Sequence, residues 1–189
     1  MSAGILYLHG FRSSPASWKV GHLAEKLAGA GQAERFFCPT LSHVPDEAIA
    51  QAEAVLATGH GPLTLVGSSL GGYYATFLAE KHGLRAVLIN PLVEAPPSLS
   101  DFLGTQTNLY SGETFEFTRE HIGQLQAMER QQIDPARYLL LVETGDEVLD
   151  YRKAVERYAG ARQIVLDGGD HSFTQCPGYV PQILEFCRL

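Results

Sequence analysis

Six short runs of Val, Ile, Leu and aromatic residues recur along the chain, at 5–8, 35–38, 63–66, 86–89, 138–142 and 163–166, each apolar almost without interruption. Such runs mark strands covered on both faces, since a strand with one wet face alternates apolar and polar residues. The stretches between them carry apolar residues at helical spacing. Leu23, Leu27 and Ala30 share one face, after a start in which Ser14 is placed to cap and Pro15 to fill the first turn. Ile49, Ala52 and Leu56 mark a second helix over 46–57, and 70–82 reads as a third, ended by Gly83. Residues 151–158 and 180–187 read as two more. Strand and helix alternating in this way build a mostly parallel sheet with helices on both faces. The expected class is α/β.

A chain of 189 residues that is 45% hydrophobic is long enough for one buried core and short for two, so a single domain over 1–189 is expected. One connection breaks the pattern. About 45 residues separate the fourth and fifth runs, far more than connections normally need. This segment, 91–137, begins rich in Pro, Gly, Ser and Thr and continues into a helix candidate at 119–132. It reads as an insertion over one end of the sheet, a reduced cap. Its Tyr110, Phe115, Phe117 and Met128 either line a pocket or form the segment's own small core.

Charge and cysteine usage exclude several classes. Lys and Arg total 14 against 21 Asp and Glu, a formal charge of -7 with no basic block, which argues against a nucleic-acid partner. The seven histidines and three cysteines show no zinc-site spacing, so no metal is expected. Cys38, Cys176 and Cys187 form an odd set without framework spacing and fit reduced thiols in the cytoplasm. The opening MSAGILYLHG lacks a basic leader, and no apolar segment approaches the ~20 residues needed to span a bilayer. No integral membrane association is expected.

The third run leads into GSSLGG at 67–72. Phosphate loops require G-x-G-x-x-G, or G-x-x-x-x-G-K followed by Ser or Thr, and this turn has neither. It does satisfy G-x-S-x-G through Gly67, Ser69 and Gly71. In a nucleophile elbow the serine sits on a strained strand-to-helix turn, and the positions two before and two after pass close to neighbouring backbone. Glycine at both offsets removes the clash. Ser68 has Val66 and Leu70 there instead, so Ser69 is the candidate nucleophile.

A serine hydroxyl needs a base, and the base needs an orienting partner. DGGDHSF follows the last apolar run and places His171 at the C-terminal end of that strand, where active groups of open α/β sheets gather. The acid is expected earlier in the chain, and Asp146 in TGDEVLDYR directly follows the fifth run. Asp150 is placed to cap the next helix, while Glu143 and Glu147 lie within the strand end or face away from the turn. For the developing oxyanion, the backbone N–H groups of Leu70 and of Phe11, in the turn after the first strand, are the candidate donors. His9 reads as a structural residue of that turn, and Arg12 as a candidate contact for an anionic substrate group.

LYLHGFRSSPAS, GSSLGGYYAT, INP, TGDEVLDYRKAV and GGDHSF, in this order and spacing, resemble the small bacterial YqiA-type esterases of the α/β-hydrolase superfamily. The resemblance runs from the first strand to the last helix. It implies a six-stranded parallel sheet of order 2-1-3-4-5-6, without the two leading antiparallel strands of larger relatives. It assigns Ser69 as nucleophile, Asp146 as acid, His171 as base, and Phe11 and Leu70 as amide donors. The implied reaction is hydrolysis of a small-molecule acyl ester or thioester with no cofactor. Two other readings keep the same fold: a binding protein without turnover, and a same-triad enzyme cleaving amide or carbon–carbon bonds.

Overall fold

The computed structural model describes residues 3–59 and 61–189. Six strands form one parallel sheet in the order β2-β1-β3-β4-β7-β8. They are β1 (Gly4–Leu8), β2 (Phe36–Phe37), β3 (Leu63–Ser68), β4 (Ala86–Ile89), β7 (Tyr138–Glu143) and β8 (Arg162–Leu166). Counting only these strands, the order is the expected 2-1-3-4-5-6. β2, at the edge, keeps two paired residues of the four in its apolar run.

Register aligns the carboxyl ends of the inner strands. Leu8 pairs with Gly67, Ser68 with Ile89, Ile89 with Leu141, and Glu143 with Leu166. Every turn that carries a candidate group therefore leaves the same edge of the sheet.

Successive strand residues point to opposite faces, and the core divides accordingly. Ile5, Tyr7, Val66, Val87 and Leu139 pack against α1 (Trp18–Gly29) and α7 (Cys176–Cys187). Leu6, Leu8, Leu65, Leu88 and Leu140 pack on the other face against α2 (Pro45–Ala57), α3 (Leu70–His82) and α6 (Tyr151–Arg157). At about 25 cal/mol per Å2 of apolar surface, burial on both faces is the main stabilising term for such a sheet.

Two helix starts differ from expectation. Ser14 does not cap α1; its Oγ accepts the N–H of Ala16 in a turn, and the helix begins after Ser17. α7 begins at Cys176 rather than 180, because Pro177 occupies its first turn, where the missing N–H costs nothing.

Between β4 and β7 lie α4 (Ala95–Leu99), an antiparallel hairpin of β5 (Gly104–Thr107) and β6 (Thr114–Phe117), and α5 (Arg119–Ala127). Thr118 and His121 form a reciprocal capping box at the start of α5, which ends short of the expected 132. The hairpin is fastened to the turn after β1. Leu109 N–H donates to the Arg12 carbonyl at 2.9 Å, Arg12 Nε to the Thr107 carbonyl at 2.9 Å, and Asn108 Nδ2 to the Ser13 carbonyl at 2.9 Å. Phe11 adds edge-on contacts to Phe102, Phe115 and Phe117.

Candidate active site

The apolar run of β3 ends in Ser69, which holds φ 54° and ψ -122° as the residue preceding α3. A non-glycine residue in such a region costs about 1–3 kcal/mol and persists only where its surroundings impose it. The flanking glycines supply that imposition. A Cβ on Gly67 would sit 2.7 Å from Gly72 Cα, and one on Gly71 would sit 2.8 Å from the His9 carbonyl oxygen, both inside contact distance. No side chain fits at either offset, and the turn is closed so tightly that Ser69 is lifted from the sheet edge.

His171 Nε2 lies 3.1 Å from Ser69 Oγ, and His171 Nδ1 lies 2.8 Å from Asp146 Oδ2. An ionised carboxylate can only accept, so Nδ1 carries the imidazole proton and Nε2 is free to accept the serine hydroxyl. Asp146 is 2% exposed and His171 23%. Burial works to raise the Asp146 pKa. The hydrogen bond from His171 and the N–H groups of Leu149 and Val148, both on Oδ1, outweigh it and hold the pKa below the ordinary carboxylate value.

The loop bearing His171 is clamped by three residues whose part could not be read from spacing. Glu143, the last residue of β7, is fully buried; its Oε2 accepts Asp170 N–H at 2.7 Å and its Oε1 accepts Gln175 N–H at 3.0 Å. Glu147 does not face away from the turn, because its Oε2 accepts the N–H of His171 itself at 3.0 Å. Asn90 follows β4 at φ 39°. Its Nδ2 donates to the Asp170 carbonyl at 3.0 Å, and its Oδ1 accepts Glu143 N–H at 2.9 Å. A charged residue closing a fully apolar strand, as Glu143 does, is the signal that could have singled it out. Asp150 caps α6, accepting Arg152 N–H at 3.0 Å.

The turn after β1 approaches the serine from the other side. A Cβ on Gly10 would lie 3.2 Å from Ser69 Cβ. His9 fixes this turn: its Nε2 accepts Leu41 N–H at 3.0 Å while Nδ1 faces the Gly10 carbonyl at 3.1 Å. Because Nε2 accepts, the ring is in its neutral form, and burial lowers its pKa against the opposing bond to Gly10. The N–H groups of Phe11 and Leu70 have no protein acceptor among the described residues.

Two cavities meet at this turn. One of about 410 Å3 is lined by Phe11, Arg12, His43, Leu70, Tyr74 and Phe115. The other, of about 140 Å3, contains Ser69 and His171 with Tyr7, Ser17, Lys19 and Tyr110. A third, of about 350 Å3 beside α3 and α6, includes neither Ser69 nor His171. Of the four cap residues singled out above, Tyr110 and Phe115 reach the first two cavities, Met128 is largely buried and lines the third, and Phe117 is buried in the core. Burial pushes the Cys38, Cys176 and Cys187 thiols up, to about 12, 11 and 12, which removes them as rival nucleophiles.

The profile of an uncharacterised protein family, UPF0227, matches residues 4–188. The chain belongs to this family. It is the family of YqiA-like proteins that the turn sequences resemble. Among solved structures, a protein from Agrobacterium vitis S4 superposes with a TM-score of 0.79 at 21% identity, covering 97% of this chain and 87% of that one. Mouse alpha/beta hydrolase domain-containing protein 10 gives 0.75 at 16% identity, over 100% and 92% of the two chains. Est1E from Butyrivibrio proteoclasticus gives 0.70 at 13% identity, over 99% and 89%. These likenesses establish the α/β-hydrolase fold. Among the described residues, no helix is long and apolar enough to cross a membrane.

Proposed function

We propose that the chain is a serine hydrolase that cleaves small-molecule carboxylic esters, extending to acyl thioesters, through an acyl-enzyme. One observation carries this reading: the continuous relay from Asp146 through both ring nitrogens of His171 to Ser69 Oγ. Ser69 Oγ attacks the substrate carbonyl carbon while His171 Nε2 takes its proton. The carbonyl π electrons move to oxygen, and the N–H groups of Phe11 and Leu70 donate to the resulting oxyanion at the N-terminus of α3. Collapse expels the alcohol or thiol, which takes the proton back from His171. Water, deprotonated by the same nitrogen, then releases the acid and restores Ser69. Every proton passes through His171, and no cofactor takes part.

Residues 91–137 act as a reduced cap on a single domain, closing the larger cavity through Phe115 and the smaller through Tyr110. Three free thiols fit a reducing compartment such as the cytoplasm. A fluorophosphonate probe is expected to label Ser69 in the wild type and to leave Ser69→Ala unlabelled, with 4-nitrophenyl butyrate turnover lost in that variant and in His171→Ala. A folded wild type that neither labels nor turns over any ester or thioester in a graded acyl series would refute the assignment, leaving a binding protein.

A further inference from the structure

Helix α1 starts beside Ser69 and His171 with its N-terminus open. The Ser17 side chain caps none of its N–H groups, and no acidic residue lies in the first turn. A helix start in this condition presents unsatisfied N–H groups and partial positive charge. Ser17, Trp18 and Lys19 line the 140 Å3 cavity that contains Ser69 and His171.

Two further groups converge on the same space. Among the described residues the half-buried Lys19 ammonium makes neither a hydrogen bond nor an ion pair. Of the nearby carboxylates, Asp146 holds His171 and Glu143 holds the N–H groups of Asp170 and Gln175, while the buried Asp170 Oδ1 has no hydrogen-bond partner among the described residues and acts on Lys19 only from longer range. Burial lowers the Lys19 pKa, with Cys176, Asp146, Asp170 and Glu143 opposing from longer range, so an arriving anion relieves an unfavourable charge. Tyr7 lies in the wall of the cavity, 1% exposed, and its hydroxyl has no hydrogen-bond partner among the described residues, although Ser68 lies close by. A buried hydroxyl left unpaired costs about 1–3 kcal/mol, and a ligand can supply the missing partner.

We propose that this cavity is a subsite for an anionic group, a carboxylate or a phosphate, carried by the substrate of the Ser69 site. Lys19 supplies the charge, Tyr7 donates its hydroxyl hydrogen, and Ser17 and the first-turn N–H groups of α1 complete the cradle. At about 140 Å3 this is the smaller of the two cavities at the turn and has room for an anionic head group. Long acyl chains belong to the larger cavity instead. Arg12 is not placed for this role, because it lines the larger cavity rather than this one and its Nε is bonded to the hairpin. The inference rests on Ser69 being the nucleophile.

Paired substrates test it. 4-Nitrophenyl hydrogen succinate against 4-nitrophenyl pentanoate puts the anion on the acyl side, and 3-carboxyphenyl butyrate against phenyl butyrate puts it on the leaving group. In the wild type at least one charged ester is expected to exceed its neutral partner tenfold or more in kcat/KM. Lys19→Gln is expected to cut that ratio at least tenfold. Tyr7→Phe is expected to cut it about threefold with little change in the urea midpoint, because the hydroxyl has only its marginal contact with Ser68 to lose. Taking the ratio within each variant cancels general damage. Charged and neutral esters hydrolysed within twofold of each other in the wild type, or a ratio that survives Lys19→Gln, would overturn the proposal. Should Ser69 prove unreactive, the subsite is still measurable by titrating Ser69→Ala calorimetrically with inorganic phosphate and with succinate. Binding of either anion that Lys19→Gln weakens tenfold supports it, and absence of binding by both refutes it.

Discussion

Replacing Glu143 separates the stability of the His171 loop from the chemistry of His171. The carboxylate accepts two backbone N–H groups, from Asp170 and Gln175, at a fully buried position. Glu143→Gln keeps the shape and one accepting oxygen but turns an NH2 group toward the other N–H. The loss of one charge-assisted bond is worth about 1.5–3 kcal/mol, reduced because an amide is cheaper to bury than a carboxylate. A net loss of about 2 kcal/mol lowers Tm by about 4–8 °C in a chain of this size. Glu143→Leu leaves both N–H groups without an acceptor and is expected to cost more, about 2–6 kcal/mol. Asp146, Glu147 and Asn90 still restrain the loop in both variants, so kcat on 4-nitrophenyl butyrate is expected to fall by about ten- to a hundredfold while KM changes little. Urea unfolding and steady-state kinetics on the same preparations read both effects. Glu143→Leu being as stable as the wild type with unchanged kcat would refute the reasoning, since burying the charge would then cost as much as its two bonds return.

The glycines of the elbow and those of the helices should respond in opposite directions. Gly71→Ala drives a Cβ into the Leu8 and His9 backbone and is expected to cost about 3 kcal/mol or more with loss of probe labelling, whereas Gly21→Ala meets open space inside α1 and should stabilise by about 0.5–1 kcal/mol in urea. The folded pKa of His9 lies below its unfolded value, so its contribution is complete above about pH 6.5 and is lost as pH falls toward the lower folded pKa. A pH series of urea midpoints from 7.5 to 5 should show this decline, and His9→Gln should flatten it. Asp146→Asn lets the opposite imidazole tautomer form and is expected to lower kcat by about three to four orders of magnitude with only a modest change in urea midpoint.

Long-range pairing was legible where it coincided with local chemistry. Six apolar runs sufficed for the sheet because strands buried on both faces exclude polar interruptions, as β1, β3, β4 and β7 show, whereas the edge strands β2 and β8 are only partly buried and were legible from their aliphatic and aromatic residues alone. Ser69 stood apart from Ser68 because only glycine tolerates the backbone approaches at positions 67 and 71. The β5–β6 hairpin was missed. Its GTQT and TFEF strands are short, polar and half exposed, so they carry little of the apolar signal that betrays a strand. The bonds of Glu143 and Glu147 to the His171 loop were equally hidden, since they join positions 24 to 32 residues apart through backbone N–H groups that every residue type possesses. Side-chain identity marks where chemistry can occur, but it does not reveal which main-chain groups will arrive beside it.

The hairpin's fastening to the turn after β1 has an evolutionary consequence. Arg12 is held through both its carbonyl and its Nε, by residues 95 to 97 positions further along the chain. Phe11, whose amide is the candidate oxyanion donor, is its immediate neighbour. Exchanging the 91–137 segment between relatives therefore changes more than the shape of the substrate cavity, because it also re-aims a main-chain donor at the reacting carbonyl. Under the proposed mechanism, substrate range and turnover rate are tied together in this scaffold, and a transplanted 91–137 segment should carry its matching 10–13 turn with it.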